Sequence, residues 1–70
     1  MLIRSQDKMK IKSMNSLIEI YLIGSTVNID GSTFGEYSTQ EKAIKVLDMI
    51  SEFYIRCGGT FQMPQDSEVK

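Results

Sequence analysis

Several residue types that build functional sites are scarce in this chain. It has one cysteine, no histidine and no tryptophan among its 70 residues. A single cysteine excludes an intrachain disulfide, and without histidine it provides too few ligands for a zinc site. The missing histidine also removes the side chain that most often acts as a general acid or base near neutral pH. We therefore expect no metal site and no catalytic residue.

Long apolar runs are missing as well. No stretch approaches 18 uncharged apolar residues, so the sequence predicts no membrane-spanning helix and no membrane partner. Residues 1–10 carry four charged side chains and lack the apolar region of a signal peptide. Together with the single cysteine, these features indicate a reducing, cytoplasmic location.

The length of the chain allows one small domain with a marginal core. A domain of this size buries only about 60% of the surface that its unfolded chain exposes. Because disulfides and metals are excluded, self-association is the remaining way to add stability. We expect a single domain over residues 1–63 and a flexible, solvated C-terminal tail over residues 64–70.

The charges are unevenly distributed. Residues 1–12 carry four cations and one acid, whereas residues 13–70 carry four cations and eight acids. The cations of the first segment are Arg4, Lys8, Lys10 and Lys12. A basic segment on an acidic domain is compatible with nucleic-acid binding. The lysines also alternate with Met9 and Ile11, which is typical of an edge strand with its lysines in water, and we favour that interpretation.

A β-hairpin is predicted around Gly24 and Ser25. Residues 17–24 are rich in β-branched and aromatic side chains, and glycine suits the first position of a two-residue type II′ turn. The turn sets a register that pairs Ile23 with Thr26, Leu22 with Val27, Tyr21 with Asn28 and Ile20 with Ile29. The same register places Glu19 opposite Asp30, a like-charge pair that a lysine of the first strand would relieve.

One face of the strand over residues 17–24 carries an apolar row formed by Leu17, Tyr21 and Ile23. If one helix covers the opposite face of the sheet, these three side chains are exposed. A contiguous apolar patch usually marks an interface. We therefore expect that two copies of the chain, or this chain and another protein, bury the row between them.

A long amphipathic helix is predicted over residues 39–57. Its apolar side chains recur at spacings of three and four: Ala43, Val46, Leu47, Ile50, Phe53, Tyr54 and Cys57. Ile44 and Met49 broaden this apolar face. The pair of glycines at 58 and 59 suits the end of a helix.

The start of the helix has the form of a capping box. Ser38 should accept a hydrogen bond from the Glu41 N–H, and the Glu41 carboxylate should reach back to the Ser38 N–H. This role accounts for the polar cluster Glu36, Tyr37, Ser38 and Glu41 as helix initiation, and no active site is needed to explain it.

The remaining patterns complete an α+β prediction. Residues 60–65, TFQMPQ, are predicted to form a last strand with Phe61 and Met63 on one face, and Pro64 marks a strand edge or end because proline lacks a backbone donor. We expect an antiparallel sheet of three to five strands packed on the one long helix in the C-terminal half. Cys57 lies on the apolar helix face, and no glycine-rich stretch has the strand–loop–helix context of a phosphate site, so we predict no reactive thiol and no cofactor.

Three blocks of sequence carry a resemblance to a known family: MLIRSQDK at residues 1–8, GEYST at 35–39 followed by EKAIKVLDMI at 41–50, and FQMPQDSEV at 61–69. In this order they resemble a family of small proteins of Gram-positive bacteria and their prophages. The resemblance covers about half of the chain. It implies an α+β fold and a cytoplasmic location, but no activity. The chain departs from the family pattern after the helix, where the short CGGT stands for a longer polar segment, and the number of strands therefore stays open.

These observations predict a protein–protein interaction module, not an enzyme, that serves a prophage or another mobile element. The expected partner is a second copy of the chain, as a homodimer, or another protein. The alternative function is a nucleic-acid-binding accessory protein that uses the basic N-terminal segment.

Overall fold

The computed structural model describes residues 1–13, 19–56 and 58–70 of the chain. Its elements follow in the order β1 (Leu2–Arg4), β2 (Ile11–Ser13), β3 (Ile20–Ile23), β4 (Thr26–Ile29), β5 (Ser32–Glu36), α1 (Gln40–Arg56) and β6 (Thr60–Gln62). A 3-10 turn at Asp66–Glu68 follows β6. No helix in the part of the chain that the structure describes has the length and apolar character to cross a bilayer.

The strands form two three-stranded sheets, in the orders β2-β1-β6 and β3-β4-β5. The predicted α+β fold, with one long helix in the C-terminal half, is confirmed. The sheet organisation differs from the single antiparallel sheet that the sequence suggests. Strand β1 pairs antiparallel with β2 but parallel with β6, which follows α1 in the chain. A parallel pair requires a long crossover connection, and the chain that contains α1 supplies it.

The β3–β4 hairpin has the predicted register. Ile20 lies opposite Ile29 and Ile23 opposite Thr26, with Gly24 at a φ of +61° in the turn. The lysine expected beside the acidic pair is also present, but it comes from β2, because Lys12 Nζ lies 3.1 Å from a carboxylate oxygen of Asp30. This ion pair links the two sheets at their surface.

Helix α1 buries the predicted face against the sheets. Ala43, Val46 and Ile50 are buried, and Leu47 and Phe53 pack against them. The prediction was wrong for Tyr54, which lies at the edge of this face and is largely exposed. The Cys57 end of the predicted helix lies outside the described residues.

The cap of α1 is one residue later than predicted. Thr39 Oγ1 accepts a hydrogen bond from the Lys42 N–H at 3.2 Å, so Thr39 caps the helix. The Ser38 N–H donates to a carboxylate oxygen of Asp66 at 2.7 Å. The predicted Ser38–Glu41 capping box is therefore wrong, because a carboxylate distant in sequence takes the Ser38 N–H.

The core joins both sheets, α1 and the C-terminal segment. Its buried apolar side chains are Ile3, Val27, Ile29, Phe34, Tyr37, Ala43, Val46, Ile50, Phe61, Met63 and Val69. Phe53 of α1 meets Phe61 of β6 edge to face, with ring centroids 5.4 Å apart. One continuous core therefore holds the two sheets together.

The segment after β6 packs against the domain. Pro64 and Val69 are buried, and the Tyr37 hydroxyl donates to the Pro64 carbonyl at 2.8 Å. The Gln65 side chain donates to the Gln6 carbonyl at 2.8 Å. These contacts correct the prediction of a solvated tail over residues 64–70 and of a domain that stops at residue 63.

The Asp66 carboxylate fastens this segment to the start of α1. It accepts the Ser38 N–H and lies 3.4 Å from Lys42 Nζ. The Ser38 hydrogen bond, helped by the Lys42 charge, lowers the pKa of Asp66. A carboxylate whose folded pKa lies below its unfolded value adds stability above that unfolded value, about pH 4, and the addition is lost as the pH falls through the folded pKa.

Asp66→Asn should therefore lower stability at about pH 6 and lose less further stability than the wild type on acidification to about pH 2. Urea unfolding at a series of pH values measures both effects. Asp48→Asn is a matched control, because Asp48 lies exposed on α1 and takes no part in the Ser38 and Lys42 contacts. An acid profile of Asp66→Asn that is parallel to that of the wild type would contradict this role.

Candidate interaction surface

Three of the four N-terminal cations make side-chain contacts within the fold, and the fourth, Lys8, is exposed in the β1–β2 loop. Lys10 Nζ donates to the Thr33 carbonyl at 2.8 Å and lies 5.6 Å from the centroid of the Phe34 ring. Lys12 pairs with Asp30, as described above. Arg4 Nε donates to the Lys8 carbonyl at 3.3 Å, across the β1–β2 loop. Lys10 and Lys12 therefore connect the first sheet to the second.

The edge-strand interpretation is correct only for Ile11–Ser13, which forms β2 at the edge of its sheet. It is wrong for residues 8–10, which lie in the β1–β2 connection, and for the predicted half-buried face, because Met9 and Ile11 are exposed.

An open polar pocket of about 260 Å³ lies between the β1–β2 loop and β5. It is lined by Gln6, Asp7, Lys10, Thr33, Phe34, Gly35 and Glu36. The Gln6 amide accepts the Glu36 N–H at 2.9 Å and donates to the Glu36 carbonyl at 3.1 Å, as a neighbouring strand would. The polar groups of the pocket thus hold the two sheets together.

Asp7, an acid that lines this pocket, forms hydrogen bonds within the β1–β2 loop. Its carboxylate accepts hydrogen bonds from the Ser5 hydroxyl at 2.5 Å and the Met9 N–H at 2.9 Å, and these bonds lower the pKa of Asp7. The described residues contain no group of three or more His, Cys, Asp and Glu side chains that could hold a metal. The hydrogen bonds of Ser5 and Asp7 explain the shape of the β1–β2 loop.

Two of the three residues predicted at an interface lie on the outer face of β3. Ile23 is 64% exposed, and Tyr21 is half-buried beside Asn28 of β4. Asn28 in turn accepts a hydrogen bond from the Thr33 hydroxyl at 3.3 Å. The apolar row on this face is therefore only one strand wide among the described residues. The third predicted residue, Leu17, lies outside the described residues.

A wider apolar surface lies between β3 and α1. We call it the β3–α1 groove. Its volume is about 340 Å³, and its lining residues are Ile20, Leu47, Ile50, Ser51 and Tyr54. Because Ile20 lies on the helix side of the sheet, the groove opens beside the outer edge of β3, which has no strand neighbour among the described residues. Tyr54 is 62% exposed and forms part of the rim.

The apolar surface continues along the flank of α1. Ile44 lies three residues before Leu47, and Ile55 lies four residues after Ser51, so both fall on the helix side that lines the groove. Ile44 and Ile55 are exposed. The helical periodicity predicts that Ile44 broadens the apolar face, but it does not separate this flank of α1 from the rest of that face. These residues lie beside one another on a helical projection, along one side of the buried face, and this adjacency is the sequence feature that marks the flank.

Comparisons with known proteins assign no family. No family model matches the chain, and no curated protein or solved structure matches it significantly. The resemblance to small proteins of Gram-positive bacteria and their prophages stays a prediction.

Proposed function

We propose that the protein is a non-enzymatic protein–protein interaction module and that the β3–α1 groove is its binding surface. The observation that carries the proposal is the exposure of large apolar side chains beside an open apolar groove, with Tyr54 62% and Ile55 79% exposed. Apolar patches of this kind usually mark interfaces, because leaving them in water is unfavourable. The resemblance described above would place the module in a prophage or another mobile element.

The polar features of the chain give less support to the other functions. Lys10 and Lys12, two of the four cations that a nucleic acid would contact, already bond to Thr33 and Asp30. The Gln6 and Asp7 side chains of the polar pocket are likewise engaged in the junction between the sheets. The apolar groove is therefore the feature of the described surface that best supports a function.

Capture from an extract of the native host tests this proposal. The tagged wild-type protein should retain a specific protein, either an untagged copy of itself or another chain. Tyr54→Lys and Ile55→Lys should reduce its retention at least about tenfold, because each places a charge on the apolar rim. Met9→Lys is a matched control, since Met9 is 81% exposed in the β1–β2 loop, away from the groove. Equal retention by all four proteins would contradict a binding role for the groove.

A further inference from the structure

The outer edge of β3 differs from the other sheet edges of the described chain. Strand β3 pairs with β4 on one side and has no described strand on the other. Residues 20–23 contain no charge, proline or glycine, the features that usually protect an edge from pairing with other chains. The edge of β2 carries lysine, and β6 is followed by Pro64. The edge of β5 bonds to Gln6, whose N–H donates to the Phe34 carbonyl at 2.7 Å.

The hydrogen bonds of the hairpin show which backbone groups of β3 face outward. The Asp30 N–H donates to the Glu19 carbonyl at 3.0 Å, so Glu19 directs its backbone toward β4. The backbone N–H and C=O groups of successive residues in an antiparallel strand point to alternate sides. The backbone groups of Tyr21 and Ile23 therefore also point toward β4. The N–H and C=O groups of Ile20 and Leu22 therefore point away from β4, toward the outer edge of the sheet.

We propose that this edge pairs antiparallel with the same edge of a second copy, with the two-fold axis at Tyr21. The inference rests on the proposed function and names its partner. Directly opposed residues in a sheet share a face, so Ile20 of each copy lies opposite Leu22 of the other. In this register, the outward N–H and C=O groups of Ile20 and Leu22 all form hydrogen bonds between the two strands. A register centred on Leu22 would instead need Gly24, which lies in the turn with a φ of +61°.

The same symmetry operation also explains the exposed flank of α1. A two-fold axis perpendicular to the sheet keeps both helices on one face of the joined sheet. The groove lies on the β3 side of α1, so the flank that carries Leu47, Tyr54 and Ile55 turns toward the corresponding flank of the second copy. One interface then covers both the outer edge of β3 and the apolar flank of α1. Residues 20–22, which pair with one another across the axis, carry no charge, and Glu19 lies opposite the uncharged Ile23 of the second copy.

A charge exchange at Tyr21 tests this arrangement. Across the two-fold axis the two Tyr21 residues form a non-hydrogen-bonded pair, whose Cα atoms lie about 4.5 Å apart. Two lysines or two glutamates at that distance repel each other. By size-exclusion chromatography with light scattering, the wild type should have the mass of a dimer, and Tyr21→Lys and Tyr21→Glu should each have the mass of a monomer. An equimolar mixture of the two variants should recover the dimer mass.

Ile11→Lys is the control, because Ile11 is an exposed apolar residue on a different edge strand, and this variant should remain dimeric. Far-UV circular dichroism establishes that each variant is folded. A wild type that is monomeric at about millimolar concentration overturns the proposal. So does a dimer that persists in Tyr21→Lys, or a mixture of the folded variants that stays monomeric. If such a monomer still retains another protein through Tyr54 and Ile55, self-pairing fails while the proposed interaction function stands.

Discussion

Replacing Ile50 by alanine should lower the free energy of unfolding by about 2–5 kcal/mol. Ile50 is 4% exposed and lies on the face of α1 that packs into the shared core. Truncating a buried isoleucine removes apolar contacts and leaves a cavity that the neighbouring side chains fill only in part. Small domains have little stability to spare, so this single change should bring the protein close to unfolding. Urea unfolding followed by circular dichroism measures the loss.

Ile55→Ala is the matched control for this prediction. It changes the same residue type on the same helix, but Ile55 is 79% exposed. Its effect on stability should stay within about 0.5 kcal/mol when both variants are measured at low protein concentration, where self-association adds nothing. Similar losses in the two variants would mean that α1 does not present Ile50 to the core.

The features that the sequence predicted well depend on local information. The burial of Ala43, Val46 and Ile50 follows from spacings of three and four within one helix. The register of the β3–β4 hairpin follows from a two-residue turn at Gly24 and from the alternation of the flanking strands. In both cases the residues that determine the structure are close in sequence, within one helix or within one hairpin.

The features that differ depend on contacts between distant parts of the chain. The parallel β1–β6 pair joins residues 2–4 to residues 60–62, and no local pattern specifies such a pairing. The helix cap lies one residue later than predicted because both Ser38 and Thr39 can cap a helix, and Asp66 takes the Ser38 N–H. The C-terminal segment reads as polar in sequence, yet Val69 enters the core.

The candidate site shows the same division. Periodicity predicted an apolar helix face, and alternation predicted an exposed row on β3. Neither pattern shows how far α1 lies from β3, and this distance decides which apolar side chains stay in water. Ile20 and Tyr54 line one groove only because the two elements are adjacent in the folded chain. The proposed binding surface therefore could be recognised only in the tertiary structure.

Gly35→Ala should also destabilise the protein, by about 2–4 kcal/mol. A Cβ atom on Gly35 would lie 2.9 Å from both Cε2 and the hydroxyl oxygen of Tyr37, and 3.0 Å from Cε of Met63. The Tyr37 ring is buried and its hydroxyl donates to the Pro64 carbonyl at 2.8 Å, so the ring cannot move without losing that bond. A tyrosine hydroxyl is protonated at neutral pH and can donate this bond, and burial raises the pKa of Tyr37 further, to about 12.

The sign of the stability change in Gly35→Ala distinguishes a steric clash with Tyr37 from the usual entropic effect of replacing glycine. Where space allows, Gly→Ala stabilises a protein by about 0.4–1 kcal/mol, because alanine reduces the freedom of the unfolded chain. Tyr37→Leu removes the ring atoms that meet the added Cβ, so in that background Gly35→Ala should have an effect smaller than about 1 kcal/mol. Urea unfolding of the two single variants and the double variant gives the coupling energy. A full loss that persists in the Tyr37→Leu background would show that Gly35 is needed for a reason other than the approach of the Tyr37 ring.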